Sequence, residues 1–297
     1  MRIRRTQWVI ALAASLTMVL TACGGGENQL DSGGNEVQVN QDAQFPEGST
    51  MARVQSDGIT IGTKFDQPLF GLKGLDDKPQ GFDVEIAKII AGKMGIQPDQ
   101  IEWVETPSAT REEVIEQGKV DMVVATYTIN DERAERISFA GPYYEAGQDL
   151  MVKADNQTIT GPDSLRASGA RVCTVSGSTP AEEIRKYVDP ANLVLFDVYS
   201  KCADALRTGQ VDAVTTDNVI LLGLVEKSNG EFKLLEKPFT EEPYGVGIKK
   251  GDTQFCEFIH QSLTEAAEEG SYAKAWEATA GTVSEQTPEL PQFGPCR

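Results

Sequence analysis

Met122-Val123-Val124-Ala125-Thr126-Tyr127-Thr128-Ile129-Asn130-Asp131-Glu132-Arg133 starts as one kind of structure and ends as another. Met122 to Thr126 reads as a short buried strand, apolar and without alternation. It runs into a loop of small hydroxyl residues, with an arginine five positions after Thr128. A loop leaving the carboxyl end of a buried strand lies where open α/β sheets hold their ligands. Such a loop exposes backbone N–H groups, and an arginine can grip a carboxylate with two parallel hydrogen bonds. The chemistry is that of an anion-recognition loop. The competing reading pairs Arg133 with a neighbouring acid on a solvated surface.

Around this loop, short apolar strands alternate with amphipathic helices from residue 57 onward. Upstream, Ile59 to Gly62 and Ile101 to Val104 read as strands. Phe82 to Met94 reads as a helix, with Phe82, Ile86, Ile89, Ile90 and Met94 near helical spacing, and Arg111 to Gln117 as another. Downstream the pattern gives strands at Leu150 to Lys153, Val172 to Val175, Leu193 to Phe196 and Ala213 to Thr215, with helices from Pro180 and over Cys202 to Thr208. This alternation predicts an α/β fold with a largely parallel sheet covered on both faces. One unit occurs twice. Glu113 to Val123 is a helix, a stop at Gly118, and Val120-Asp121 launching a strand; Ala203 to Val214 repeats that order around Gly209 and Val211-Asp212. Glycine suits the left-handed cap that ends a helix. Two copies about 91 residues apart predict two lobes of similar construction, against the alternative that so common a unit recurs by chance.

The ends of the chain speak to location. Arg2, Arg4 and Arg5 precede an apolar run, Trp8 to Leu20, too short to span a bilayer comfortably, which reads as an export signal. Leu20-Thr21-Ala22-Cys23 resembles the lipobox of bacterial lipoproteins, which implies cleavage before Cys23 and lipidation of its sulfur; an ordinary signal with a chance cysteine is the alternative. Residues 24 to about 56, rich in Gly, Asn, Gln, Asp and Ser, read as a disordered tether with a reach on the order of 30 Å. Export agrees with the remaining cysteines, Cys173, Cys202, Cys256 and Cys296, an even number that allows three pairings. None has metal-ligand spacing, His260 is the only histidine, and no metal or cofactor is expected.

The formal charge is −18, and about −21 once the three signal arginines are removed. Such a surface repels nucleic acid and anionic headgroups. It also opposes an anionic ligand, which would need a local cluster of cations.

The loop and Phe139-Ala140-Gly141-Pro142-Tyr143-Tyr144 together resemble the signature of the bacterial extracellular solute-binding proteins of family 3, the polar amino-acid binders. Their pattern runs Thr-Ile-Thr-x-x-Arg, then Phe-Ser-x-Pro-Tyr. Gly81-Phe82-Asp83-Val84-Glu85-Ile86 and Pro243-Tyr244-Gly245-Val246-Gly247-Ile248-Lys249-Lys250-Gly251 extend the resemblance over roughly residues 57 to 281. It implies a two-lobed type II periplasmic-binding-protein fold, with two crossover strands and a ligand cleft between the lobes. Lobe 1 would hold residues 57–151 and 244–297, lobe 2 residues 152–243, with crossings near Met151 and Pro243. It further implies an extracytoplasmic, membrane-anchored, monomeric receptor that hands a small amino acid to the permease of an ABC importer. With the lobes so divided, Cys173 is expected to pair with Cys202 and Cys256 with Cys296.

The resemblance also assigns roles. Arg133 matches the arginine that grips the ligand α-carboxylate. Thr128 matches the threonine that offers its N–H to that group and its hydroxyl to the α-amine. The Thr126 carbonyl would also receive the amine, and Asp217 would pair with it, an N-cap of the following helix being the alternative. Ser178 and Thr179, in Ser176-Gly177-Ser178-Thr179-Pro180, would touch a ligand carboxylate or side chain, or act only as a helix cap. Lys64 and Arg111 would meet a distal carboxylate and complete the cation cluster, or else be solvent-exposed. Relatives often stack rings on the ligand; here Ser108 stands at one ring position, and Phe65 or Phe70 is expected to supply the other. The resulting expectation is glutamate, with aspartate or glutamine as weaker ligands. A sensor reporting to a membrane kinase would need the same cleft. Catalysis is not expected: no Ser–His or Cys–His pair is available, and the chain beyond residue 281 leaves no length for an appended lyase domain.

Overall fold

The computed structural model describes residues 37–284 and 286–296. The expected signal segment, Cys23 and the first part of the tether lie outside the described residues. In chain order the strands are β1 (Ile59–Thr63), β2 (Asp66–Gln67), β3 (Gly71–Lys73), β4 (Pro79–Gln80), β5 (Ile101–Glu105), β6 (Met122–Val123), β7 (Ser138–Ala146), β8 (Gln148–Lys153), β9 (Val172–Val175), β10 (Leu193–Phe196), β11 (Ala213–Asp217), β12 (Phe232–Leu234) and β13 (Glu242–Ile248). They form one sheet of order β5-β1-β6-β13-β7, a second of order β10-β9-β11-β8-β12, and a small sheet β2-β3-β4.

The two large sheets are the hearts of two lobes. In the first, Phe82, Ile86, Ile90, Ile59, Ile61 and Met122 pack with Phe255, Ile259 and Trp276 from the C-terminal helices. The helix Phe82–Lys93 begins after Gly81, carries Asp83 and Glu85 in its first turn where the helix dipole favours acids, and turns nearly every side to the core. The second lobe has its own clusters, around Cys173, Leu206, Val214 and Leu221 on one face and Leu150, Val172 and Ile184 on the other.

The sheets are mixed, not largely parallel as the alternation predicts. Pairs β1–β5, β1–β6, β9–β10 and β9–β11 are parallel, whereas β13 runs antiparallel to β6 and β7, and β8 antiparallel to β11 and β12. The antiparallel members adjoin the crossings: a chain that leaves one sheet along β7 and enters the next along β8 runs against the strands built by helical crossovers. The chain changes sheets at Gly147, between β7 and β8, so Met151 lies within the second sheet. There is no room for a side chain there, since a Cβ on Gly147 would come within 2.7 Å of the Thr240 carbonyl oxygen on the returning segment.

The tether also ends earlier than expected. Thr50–Asp57 is a helix capped by Ser49, whose hydroxyl accepts from the Ala52 N–H at 3.1 Å, and it buries Met51 and Val54 against the first lobe. With two apolar anchors in eight residues, its period is too faint to read in the sequence.

Both copies of the repeated unit fold alike. The helix Arg111–Glu116 leads through Gly118 (φ 64°) to β6, and Tyr199–Arg207 through Gly209 (φ 73°) to β11, each strand interior to its sheet. Disulfides join Cys173 to Cys202 within the second lobe and Cys256 to Cys296 between a C-terminal helix and the tail. The tail is held further by Gly294 N–H donating to the Gly141 carbonyl at 2.8 Å and by Phe293 stacking on His260 at 4.3 Å. Cys256, His260 and Cys296 are therefore close enough to suggest a metal cluster, but both sulfurs are committed to the disulfide. No described helix is long and apolar enough to cross a membrane.

Candidate functional site

The first wall of the cleft grows from the end of β6. The chain turns sharply at Thr126, which takes a left-handed φ of 45°. Non-glycine residues seldom do so without support. Asp83 gives that support: its Oδ2 accepts from the Thr126 N–H at 2.7 Å and its Oδ1 from the Tyr143 hydroxyl at 2.6 Å. Burial nevertheless pushes the Asp83 carboxyl up to about 7. The loop is then zipped to β13, with Ile129 N–H donating to the Pro243 carbonyl and Gly245 N–H to the Tyr127 carbonyl.

The three expected cations are all buried, so the solvent-exposed alternative fails for Lys64 and Arg111 alike. Lys64 donates to Ser108 Oγ at 2.9 Å. Burial, then repulsion from Arg111, hold its ammonium down to about 7. Arg111 donates from Nη1 to the Ala125 carbonyl at 2.8 Å and lies over the Tyr127 ring at 4.0 Å. Part of its guanidinium thus braces the loop, and at 3.4 Å Nη1 also reaches the Thr126 carbonyl that was expected to meet the ligand. Its Nε is buried and unpartnered. Arg133 sits on the same ring at 5.2 Å, so the electron-rich aromatic face of Tyr127 lies near both guanidiniums. Arg133 donates to the Thr128 carbonyl at 2.7 Å and, across the cleft, to the Gly177 carbonyl at 3.1 Å. Glu112 lies 3.4 Å from its Nε. This is the neighbouring acid of the alternative reading, but the pair is buried rather than solvated. Burial and Arg111 hold the Arg133 guanidinium down to about 10.

The second wall comes from the ends of β9 and β11. Ser178 caps the helix Thr179–Glu183: its hydroxyl accepts from Ala181 N–H at 3.1 Å and donates to the Val175 carbonyl at 2.7 Å. Its side chain is committed to the cap. Asp217 occupies the N-cap position of Asn218–Lys227 but makes no side-chain capping bond. Instead Oδ2 accepts from the Tyr244 hydroxyl at 2.6 Å, and Oδ1 is buried with no partner. Burial, reinforced by the charge of Glu242, pushes the carboxyl up to about 8.

The walls meet around a narrow, partly open cavity. Arg111, Thr126, Thr128, Ser178, Thr179 and Asp217 all line it, together with Gln67, Ser108 and Tyr199 among others. The structure thus brings together these six of the expected ligand-binding residues, and Lys64 reaches the cavity through Ser108. Arg133 lines an adjoining groove of about 670 Å³ that shares Ser108, Ser178 and Thr179 with the cavity and is bordered also by Gly177 and Glu242.

The lobes touch closely. A Cβ on Gly177 would lie 2.6 Å from Ala109 Cα, and Asp66 Oδ2 accepts from the Tyr199 N–H at 2.6 Å. Two residues missed in the sequence belong here. Gln67, on a two-residue strand without periodicity, accepts from the Thr126 hydroxyl at 3.1 Å while its Nε2 is buried and unpartnered. Glu242 precedes Pro243 at the expected crossing, and that position was the signal available for it. The expected ring is not where it was sought: Phe70 lies in a cluster with Phe82, Tyr144, Tyr244 and Trp276, and Phe65 lies under Lys73. The ring that does line the cavity is Tyr199.

Residues 59–278 match the family of bacterial extracellular solute-binding proteins, family 3. The chain belongs to that family. It is 37% identical over 288 residues to the glutamate-binding protein GluB of Corynebacterium efficiens, covering 94% of this chain and 91% of the relative. It is 36% identical to the glutamine-binding protein GlnH of Bacillus subtilis, covering 86% and 89%. Among solved structures it resembles an ancestral arginine-binding protein bound to glutamine, with 34% identity and a TM-score of 0.69 over 74% of this chain and 96% of that one. It also resembles the L-cysteine receptor of Neisseria gonorrhoeae, with 30% identity and a TM-score of 0.74 over 82% and 100%. As a family 3 member, the protein is an extracellular solute-binding protein with a two-lobed fold, and the cavity lies where its two sheets present their strand ends.

Proposed function

We propose that the cleft closes on free glutamate, and that the protein is the lipidated receptor of an ABC importer, anchored through Cys23. One observation carries the ligand reading. Residues lining the same cavity carry an unpartnered buried acceptor, Asp217 Oδ1 on the second lobe, and unpartnered buried donors, Gln67 Nε2 and Arg111 Nε on the first. Leaving such groups unpaired is costly. An amino acid answers both needs: its ammonium meets Asp217, and its carboxylate oxygens meet the donors and the Arg133–Thr128 loop. Lys64, relayed through Ser108, and Arg111 supply the positive charge that a second carboxylate needs in a water-excluding site.

The reading makes the protein a binder, not a catalyst, and a monomer that presents its closed lobes to permease subunits. Lobe 1 is taken as residues 57–151 with 244–297, adjusted to the change of sheet at Gly147. Isothermal calorimetry with the common amino acids tests it. Glutamate is expected to bind tightest, followed by glutamine or aspartate. A parent protein that prefers glutamine, or binds a cationic amino acid better, overturns the acidic reading. Membrane fractionation of Cys23→Ala tests the anchor: unchanged membrane association would reject it.

A further inference from the structure

Glu242 is a buried carboxylate that the ligand reading does not use. It opens β13, opposite Ala146 of β7, and so stands on a strand that crosses between the lobes. Its Oε2 accepts from the Thr128 hydroxyl at 2.7 Å and from the Thr179 hydroxyl at 2.6 Å. Its Oε1 accepts from the Thr240 hydroxyl at 3.0 Å. Thr128 belongs to the first wall and Thr179 to the second. One oxygen atom therefore ties both walls to the hinge, in a geometry that exists only while the walls are together.

A carboxylate accepts hydrogen bonds and cannot donate them, and each threonine hydroxyl has one proton. Both protons are spent on Glu242. Toward the cavity, Thr128 and Thr179 can then offer only lone pairs. Lone pairs suit an ammonium and repel a carboxylate. The hydroxyls are thus set as acceptors beside Asp217, and carboxylate recognition is left to backbone N–H groups and guanidinium.

We propose that Glu242 is a positioning residue: a hinge latch that bridges Thr128 and Thr179 in the closed state and fixes their hydroxyls as acceptors for the ligand α-ammonium. The latch rests on the reading of the cleft as an amino-acid site. Because the α-ammonium is common to all amino acids, the latch affects every ligand equally, unlike Lys64 and Arg111.

The test is Glu242→Gln, which keeps shape but adds donors, so one threonine must turn its proton elsewhere. Affinities for glutamate and glutamine, measured by calorimetry, are expected to fall about tenfold and by equal factors. Dissociation in stopped-flow should speed up by a similar factor, while the melting temperature without ligand stays at the parent value. Thr179→Val removes the same bond from the second lobe, and combining it with Glu242→Gln should cost much less than the product of the two single effects. Unchanged affinity in Glu242→Gln, multiplicative effects in the double variant, or an affinity loss matched by a drop in ligand-free melting temperature overturns the latch. If Glu242→Gln does not fold, equal losses for both ligands in Thr179→Val support the latch, and parent-like affinity overturns it. A parent that binds no amino acid removes the underlying reading as well, whereas a binding parent with an indifferent Glu242→Gln removes only the latch.

Discussion

The two copies of the helix–glycine–strand unit end in opposite chemistry. In the first lobe the strand stops at Val123, and the chain turns left-handed at Thr126 into a loop stacked with guanidinium groups. In the second lobe the strand runs on to Asp217 and passes directly into a helix. Stopping early turns the backbone into the cleft, and carrying on delivers a side chain at the strand's end. On the proposed reading, one supersecondary unit, ended in two ways, gives a wall for the ligand's carboxylate and a wall for its ammonium. Both walls are partly braced and partly unpaired. Arg133, Arg111 and Thr126 bond to carbonyls or a carboxylate and Asp217 Oδ2 accepts from Tyr244, while Arg111 Nε and Gln67 Nε2 on the first lobe and Asp217 Oδ1 on the second are buried without a partner.

The comparison can be broken at its strongest point. Arg133→Ala removes a cation that holds the Thr128 carbonyl and reaches across to Gly177. Losing a charged hydrogen-bonding partner is expected to cost roughly two decades of affinity, for all amino acids alike. Asp217→Asn, on the other wall, should also weaken all of them, by about tenfold or more. Calorimetry on the two variants decides this: near-parental affinity in Arg133→Ala would move the ligand away from the first wall altogether.

A smaller effect separates the walls by selectivity. Arg111→Gln should cost glutamate roughly tenfold more than glutamine, because only glutamate brings a second carboxylate to be left short of charge. The brace from Arg111 to the Ala125 carbonyl means both ligands lose some affinity, so the difference between them is the quantity to read. Equal losses would leave Arg111 as a brace and nothing more.

What the sequence discloses depends on the range of the interactions. The Thr126–Arg133 loop, the glycine caps and the strand from Leu193 to Phe196 are set by neighbours in the chain, and all are legible. Strand direction is not, because the period of an apolar strand is the same whichever way it runs, and so the antiparallel course of β8 and β13 leaves no mark. Gln67 and Glu242 are hidden for a related reason. One is a polar residue on a two-residue strand, and the other belongs to an acidic pair, Glu241-Glu242, that reads as a solvated surface. Each gains its role only from residues 59 or more positions away, Thr126 for Gln67 and Thr128 and Thr179 for Glu242. Phe70 illustrates the converse: its chemistry suited the cleft, but the aromatic core around Trp276 claimed it.

The smallest effect sharpens the comparison through pH. Burial and the nearby Arg111 hold Lys64 down to about 7. Above that pH a growing share of the ligand-free protein carries Lys64 neutral. A glutamate side chain beside it favours the ammonium, so binding takes up a proton and weakens as pH rises through 7. Glutamine brings no side-chain charge and escapes this cost. Asp217 acts with the opposite sign: burial and Glu242 push it up to about 8, and a ligand ammonium favours its ionised form. Binding therefore releases a proton below pH 8 and strengthens as pH rises, but it does so for both ligands and cancels in their ratio. The preference for glutamate over glutamine should then shrink roughly fivefold between pH 7 and 8. Paired titrations at the two values in buffers of different ionisation heat read both the ratio and the proton count. A ratio that stays flat, with the same proton count for glutamate as for glutamine, would place Lys64 away from the ligand side chain and leave Arg111 alone on the distal carboxylate.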